Sequence, residues 1–438
     1  MKKIIVIGAG ASGLLAAAVA AKAGAKVVVL EKNARAAAKI LISGKGRCNL
    51  TNLCDEEKFL ASFGENARFL RGAFSRFFRN DLISLLDTLG VPTKEERGER
   101  VFPQSDNAED VANALQKFAK DNGASIAYNC PVRQILLENS RIYGVAVDSG
   151  QLKADAIVLA TGGSSFPKTG SSGDGYRLAK ECGHNIKELL PALVPLVVAE
   201  EDLIKSAWGT SLKNVRLSIY SCASHEAPQE SPLHDFGRGI LGKKATFPLL
   251  ESRLGEMMIT HFGLGGPITL LASLAAARAL HNKQKVCAVI DLKPALTIAE
   301  LSKRLQKEIE THPKRSFENL IKELVPLKLR QLVCTIGGFN PYVPSIDLKK
   351  EERQKLAKLL KRIPFNITAT LPLSVAMVTA GGIDLSEINP KTMESKKIGG
   401  LYAAGEVLDI DAETGGFNLQ AAFSTGYVAG LSSALQSE

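Results

Sequence analysis

The chain has 438 residues, too many for one compact core, so two or three domains are expected. Hydrophobic residues make up 45% and charged residues 23%, the balance of a globular protein, and once the first unit is assigned no run is apolar enough to span a bilayer. The formal net charge of +10 favours acidic partners, nucleic acid among them, and the 7 cysteines form no CxxC pair, which argues against a disulfide framework or a zinc site and for a reducing cytoplasm.

A short apolar run, Ile4 to Ile7, ends in Gly8-Ala9-Gly10-Ala11-Ser12-Gly13. An alanine-rich helical segment follows, and a second β-branched run, Val27 to Val29, ends at Leu30-Glu31. This is a βαβ unit with dinucleotide-binding spacing. Gly8 permits the tight turn, Gly10 lets the backbone approach a pyrophosphate, and Gly13 lets helix and strand pack closely. The amides at the helix start point at the phosphates. Glu31 stands where a carboxylate takes both hydroxyls of an adenosine ribose, which selects FAD or NAD over a 2′-phosphorylated NADP. A secretory signal built from Lys2-Lys3 and the apolar stretch fits the glycines and Glu31 less well.

The stretch after the second strand is alanine-rich and compatible with helix until Ser43-Gly44-Lys45-Gly46-Arg47-Cys48-Asn49, which glycines punctuate. A polar loop so soon after the ribose acid is expected to fold back over a bound cofactor; the plain alternative is a surface loop. Residues 56 to 90 read as surface helices, with Phe69, Phe74, Phe77 and Phe78 inward and the arginines among them solvated. An extended segment, Glu99 to Pro103, and a helix from Asp106 to Asn122 follow. Ile126 to Tyr128, Val132 to Leu136 and Ile142 to Val147 read as a three-stranded meander, with Val132 where the chain passes the adenine.

Asp155 to Leu159 is a buried parallel strand closing in Ala160-Thr161-Gly162-Gly163, residues small enough for the backbone to close on a cofactor. Gly170 to Gly175 opens a helix through Cys182, either as a second phosphate loop or as a helix entry capped by Ser or Asp. From Pro191 the character changes to short β-rich runs (Leu193 to Val198, Val215 to Tyr220), then to charged helices over 298 to 334. Lys349 to Arg362 is an amphipathic helix with Leu356, Leu359, Leu360 and Ile363 on one side and a cationic stripe on the other. That stripe is either a solvated face or an RNA-facing one. The nucleotide domain then resumes. Leu401 to Ala404 is a strand ending at Gly405-Glu406, an acid able to accept from a ribityl hydroxyl. Gly415-Gly416-Phe417-Asn418-Leu419-Gln420 opens a helix whose first amides would face the pyrimidine end of a flavin. The expected domains are residues 1–191, an insert over 192–374, and 375–438.

On these motifs the chain resembles, over nearly its whole length, the flavoprotein family named for BaiN and RdsA. Beyond the glycine fingerprint, the resemblance rests on Leu41-Ile42-Ser43-Gly44-Lys45-Gly46-Arg47-Cys48-Asn49-Leu50-Thr51-Asn52, Ala160 to Gly163, Thr169 to Tyr176, Thr260-His261-Phe262-Gly263, Thr392-Met393-Glu394-Ser395-Lys396, Gly405 to Asp409 and Gly415 to Asn418. It implies an α/β fold: a glutathione-reductase-like FAD-binding Rossmann domain interrupted by an insert that combines a partial β-barrel with a helical bundle. It also implies non-covalent FAD reduced by NADH or NADPH. The motifs and the resemblance together give the expected cofactor contacts: Gly8, Ala9, Gly10, Ala11, Ser12, Gly13, Glu31, Lys32, Lys39, Ser43, Gly44, Gly46, Arg47, Cys48, Asn49, Val132, Ala160, Thr161, Gly162, Gly405, Glu406, Gly416, Asn418, Leu419 and Gln420. Two departures stand out. Ala37-Ala38-Lys39 replaces the usual Gly-Arg-Lys, which removes a cation, and Lys45 stands where a third glycine is usual.

No second strand-linked glycine fingerprint is present, since Gly263 to Pro267 breaks helix and strand instead. The nicotinamide reductant is therefore expected to dock transiently at the flavin. Family members divide between reducing steroid double bonds and reducing uridine to dihydrouridine in ribosomal RNA. The basic balance and the cationic helix favour 23S rRNA here. The alternatives are a steroid-enone-like small-molecule reductase, an amine oxidase, and a flavin-bearing RNA-binding or assembly factor that turns nothing over. A reduced alkene needs a proton as well as a hydride, and Cys48 and His261 are the candidate donors. Each also has a plain reading, as a small buried hydrophobe and as a structural histidine. A cytoplasmic protein with no membrane contact and no metal is expected; the oligomeric state is open.

Overall fold

The computed structural model describes residues 1–222 and 247–435, which form two compact units, Met1–Leu190 with Leu373–Glu438, and Pro191–Pro372. The first unit is built on a five-stranded parallel sheet in the order Leu401–Ala403, Ala156–Leu159, Lys3–Ile7, Lys26–Leu30, Ser125–Ala127. Its strands are near-continuous apolar runs because helices cover both faces. The registers align Ile7 with both Leu30 and Leu159, and Leu159 with Ala403, so four carboxyl ends finish level.

The first helix, Ala11–Lys22, is buried along almost its whole length. Its alanines answer a tight neighbour, the C-terminal helix Phe417–Ala434. Side chains at Gly426 and Gly430 would stand 2.4 Å from the Ser12 carbonyl and 2.3 Å from that of Ala16. A four-residue spacing puts both glycines on one helical face, and the two backbones meet there directly. The helices over residues 56–78 carry an edge-to-face aromatic cluster in which Phe59 meets Phe74, Phe78 and Phe417, with ring centroids 4.9–5.4 Å apart.

The meander differs from expectation. Ser125–Ala127 joins the parallel sheet beside Lys26–Leu30, and the meander is made by Val132–Glu138, Arg141–Val147 and Gly150–Lys153. The helix Ala108–Asp121 forms the crossover that returns the chain parallel to Lys26–Leu30, whose edge would otherwise stand unpaired. Asn139 and Ser140 are both left-handed (φ 50° and 57°), which makes a two-residue hairpin turn between the next two strands.

The second unit holds a closed barrel rather than a partial one. Its six strands run in the order Leu196–Val198, Gly263–Gly265, Leu249–Ile259, Ser211–Cys222, Lys285–Asp291, Ile363–Thr370. The short strand Leu196–Val198 closes it by pairing with both Gly263–Gly265 and Ile363–Thr370. Leu217, Ile219, Met257, Ile259, Ala288 and Ile290 of its strands share one buried core with the helices Ile298–Thr311, Leu327–Gly337 and Lys350–Lys361. Two features of the cationic helix are corrected. Ile363 is not on its apolar side but begins the last barrel strand. The stripe is partly structural: Lys361 pairs with Asp291 at 2.6 Å, and the Lys355 ammonium lies 5.5 Å from the Phe339 ring centre. No helix among the described residues is long and apolar enough to cross a membrane.

Candidate cofactor-binding site

The level strand ends of the first unit are closed by glycines, each for a steric reason. Gly8 is left-handed (φ 101°), and a Cβ there would stand 2.6 Å from the Ala160 carbonyl oxygen; at Gly13 it would stand 1.9 Å from that of Gly8. At Gly405 it would lie 2.7 Å from the Ser12 hydroxyl, at Gly162 2.8 Å from the Ser171 hydroxyl, and at Gly416 2.4 Å from the Thr51 carbonyl. Gly10 is the exception. Nothing lies within 4 Å of where its Cβ would be, so the start of Ala11–Lys22 faces open space, and its cap contributes no side-chain acceptor. Uncapped amides at the positive end of a 12-residue helix form an anion site.

Glu31 is buried beside that opening and is held at both ends of its carboxylate. Ala9 N–H donates to Oε2 and Asn33 N–H to Oε1, each at 2.8 Å. Each oxygen keeps a second lone pair for a ribose hydroxyl. Val132 is buried at the head of the meander, opposite Val147.

The Ser43–Asn49 loop winds through a run of left-handed residues: Gly44 (φ 56°), Lys45 (61°), Gly46 (85°) and Cys48 (63°). A left-handed position explains why glycine suits site 45, and Lys45 occupies it under strain. The Ser43 hydroxyl donates to the Ile40 carbonyl at 2.7 Å, and Cys48 N–H donates to the Ser43 carbonyl at 3.0 Å. The Cys48 side chain is wholly buried, and burial pushes its thiol up to about 12. Arg47 donates to Glu96 at 2.8 Å and Asp106 at 3.3 Å, and its guanidinium lies 4.2 Å from the Phe102 ring centre. It clamps the loop to its neighbours.

Four buried oxygens, Asn49 Oδ1, Thr51 Oγ1, Thr161 Oγ1 and Gln420 Oε1, have no hydrogen-bond partner among the described residues. Thr161 follows the strand Ala156–Leu159, and Thr51 abuts Gly416. Orphaned oxygens at these loops fit a polar ligand that supplies the missing donors.

Glu406, the expected ribityl acceptor, has partners within the chain. Its carboxylate is ion-paired with Lys39 and accepts from the Ser165 hydroxyl and the Thr379 amide, both at 2.9 Å. Lys39 also donates to Ser165 at 2.7 Å. Burial works to raise the Glu406 pKa, but the charge and hydrogen bond of Lys39, with Thr379 and Ser165, outweigh it and hold the carboxyl below its usual range. Lys32 is likewise taken, by Asp174 at 2.6 Å and by Ser172.

Two further side chains among the expected contacts have partners within the chain. The Asn418 side chain staples the preceding loop: its Oδ1 accepts from Ala412 N–H at 2.9 Å, and its Nδ2 donates to the carbonyls of Ala412 at 2.9 Å and Glu413 at 3.3 Å. Gln420 is fully buried and donates to Ser424 at 3.0 Å, because helical spacing puts residues 417, 420, 421 and 424 on the core face; Leu419 is half-buried. The 170–175 segment is not the helix entry capped by Ser or Asp. Its helix begins at Asp174 after Gly173, with no side-chain cap, and Asp174 serves Lys32.

Ser165, Thr379, Asn33 and Asp174 were not visible as partners, since each acts through a neighbour remote in sequence. His261 lies in the second unit, exposed and edge-on to Trp208 and Phe262, with centroids 5.6 and 4.8 Å away.

The family model described as HI0933-like protein Rossmann domain matches residues 2–432. The chain belongs to that family. It is 30% identical over 99% of both chains to a 3-dehydro-bile acid delta(4,6)-reductase of Clostridium scindens. It is 29% identical to a ribosomal RNA dihydrouridine synthase of Haemophilus influenzae, covering 98% of this chain and 97% of that one. A second protein of that name, from Escherichia coli, is 26% identical over 97% and 96%. A solved quinol-fumarate reductase aligns over 99% of this chain and 71% of its own, at 16% identity and TM-score 0.50, which is a likeness of fold alone. An HI0933-like chain is thus a flavin-dependent oxidoreductase of Rossmann type, and FAD is the dinucleotide its open helix start, buried ribose acid and orphaned oxygens fit.

Proposed function

We propose that the protein uses FAD to pass two electrons from NADH or NADPH to a carbon–carbon double bond, that of a uridine in 23S ribosomal RNA. FAD, when bound, accepts hydride from the nicotinamide and donates it to the alkene. The balance is one reduced nicotinamide and one proton consumed per alkene saturated. The uridine double bond is conjugated to a carbonyl, so hydride enters at the far carbon and the proton at the near one.

The chain supplies binding and order at the dinucleotide. The amides of Ala11 to Gly13 would hold the pyrophosphate over Gly10, and Glu31 would hold the ribose. The Lys39–Glu406 pair fixes the closing of the strand ends. Of the two candidate proton donors, His261 is exposed, whereas Cys48 is sealed in the core with its thiol held protonated.

One observation carries the substrate class: end-to-end similarity to two proteins named as ribosomal RNA dihydrouridine synthases, in a chain of net charge +10. A second reading, reduction of a steroid enone, is favoured by equally complete similarity to the bile acid reductase. Both readings share the alkene reduction and differ in acceptor. Dihydrouridine in 23S rRNA should fall in a deletion strain relative to its parent and return on complementation. Unchanged dihydrouridine, with turnover of a steroid enone by the purified protein and NAD(P)H, transfers the assignment to the second reading.

A further inference from the structure

The chain has a single tryptophan, and the fold leaves it uncovered. Trp208 is 58% exposed, standing edge-on to the exposed His261, which in turn stands edge-on to Phe262. A large indole left in water forgoes most of the burial that usually places it in a core, so an exposed one marks a contact surface.

The rings are held in place. Gly209, left-handed at φ 78°, turns the chain directly after Trp208, and its N–H donates to the Ile259 carbonyl at 2.9 Å. The Ile259 amide donates to Thr210 at 2.9 Å. Beyond it, Thr260 N–H reaches the Gly263 carbonyl at 2.8 Å, and Gly263 N–H reaches the Thr260 hydroxyl at 3.0 Å. His261 and Phe262 thus sit at the tip of a closed turn, and the rings lose little freedom on meeting a ligand.

Charge says what kind of ligand. The exposed Lys328 ammonium donates to the Trp208 carbonyl at 2.9 Å, keeping two N–H groups for an anion. Lys205 lies one turn before Trp208 and is half-committed to Asp202 in an exposed pair at 3.0 Å. Flat π-faces beside an ammonium suit a base joined to a phosphate. A saturated steroid skeleton has no π-face to stack and asks for an enclosing apolar pocket.

We propose that Trp208, with His261 and Phe262, is a stacking platform for a base of single-stranded RNA, and that Lys328 meets the adjoining phosphate. This rests on the RNA reading above and adds a recognition residue to it.

The single tryptophan is its own probe. The FAD-loaded protein is titrated with a single-stranded oligonucleotide from 23S rRNA, following tryptophan emission, corrected for flavin absorbance, alongside anisotropy of the labelled oligonucleotide. Stacking quenches Trp208 in step with binding, and a duplex of the same sequence quenches it less. Trp208→Ala weakens binding about 5- to 150-fold, and Trp208→Phe restores most of it. Wild-type emission needs no variant, so the test stands even if Trp208→Ala fails to fold. Unquenched emission while anisotropy reports binding overturns the platform. So does blue-shifted emission that RNA leaves unmoved, which marks Trp208 as covered by the chain itself, and so does quenching by a steroid enone but not RNA. Unchanged dihydrouridine in the deletion comparison, with Trp208 still quenched by RNA, would sink the substrate assignment and not the platform.

Discussion

Alanine substitutions at two glycines three residues apart, Gly10 and Gly13, should behave as opposites. At Gly13 a Cβ would stand 1.9 Å from the Gly8 carbonyl oxygen, against 3.4–4 Å for ordinary contact, so helix and strand would have to separate by about 1.5 Å. The helix is pinned on its other side by Gly426 and Gly430 and has nowhere to go. Gly13→Ala should therefore cost at least about 3 kcal/mol, the upper end for overpacking, and lower the melting temperature of the FAD-free protein by roughly 6 °C or more. At Gly10 the same methyl meets nothing within 4 Å, and φ is −82°, which alanine adopts freely. The cost is the weaker helix cap, offset by a stiffer unfolded chain, and nets within about 1 kcal/mol. The methyl does fill the space through which a pyrophosphate approaches the Ala11 to Gly13 amides. Gly10→Ala should thus melt within about 2 °C of wild type without FAD, yet bind FAD at least about tenfold more weakly, a loss of about 1.4 kcal/mol. Melting by circular dichroism and FAD titration by flavin fluorescence give both numbers. A Gly10→Ala protein that binds FAD like the wild type refutes the placement of the pyrophosphate.

Other consequences are more local. Lys39→Ala leaves the part-buried Glu406 carboxylate without its cation and should cost about 1–3 kcal/mol at pH 7 in urea unfolding. Glu406 is held below its usual range in the fold, so its stabilisation is complete above about pH 4.3 and is lost as pH falls through the folded value; the Lys39→Ala penalty should shrink in acid, and a pH-independent penalty would count against the pair. Cys48 should resist iodoacetamide in the native protein, and Cys48→Ala should keep turnover within a few-fold; a hundredfold loss with FAD still bound would make the thiol the donor after all. His184 is buried between Glu387 and Ser395, each at 2.9 Å, so His184→Ala should cost about 2 kcal/mol. Burial lowers the His184 pKa, so wild-type stability should decline as pH drops below about 6.5, where the unfolded chain protonates first, and the variant should lack that decline. Lys45→Gly should relieve a left-handed φ of 61° and raise or hold stability within about 1 kcal/mol; a clear loss would mean that the Lys45 side chain makes a contact of its own.

Local pattern made the first 31 residues legible, because the period of the apolar runs, the glycine spacing and the terminal acid all point to one structure. The same holds for Ala156–Leu159 and Leu401–Ala403, short runs with small residues after them. Non-local pairing was not legible. Ile126 has the same neighbours in sequence whether its strand joins a meander or the parallel sheet, and only the crossover helix before it decides. Closure of the barrel hangs on Leu196–Val198, three residues whose two partners lie about 65 and 170 positions away in sequence. In the site, glycines announced themselves through composition, while the partners of Lys39 did not. Ser165 and Thr379 are ordinary residues until the fold brings them to Glu406.

That asymmetry bears on how the pyrophosphate is met. Each cation that the sequence offered to the cofactor is already matched by an acid: Lys32 by Asp174, Lys39 by Glu406, Arg47 by Glu96 and Asp106. A bound diphosphate would have to break such a pair to use its cation, and the part-buried Lys39–Glu406 pair is the costliest of them to break. Backbone amides at an open helix start carry no such penalty, since they are oriented before the ligand arrives and have no acid to leave. On the proposed reading, the opening over Gly10, not the basic side chains, takes the negative charge of the diphosphate. The lysines and arginine act one step back, fixing the loops that give the opening its shape.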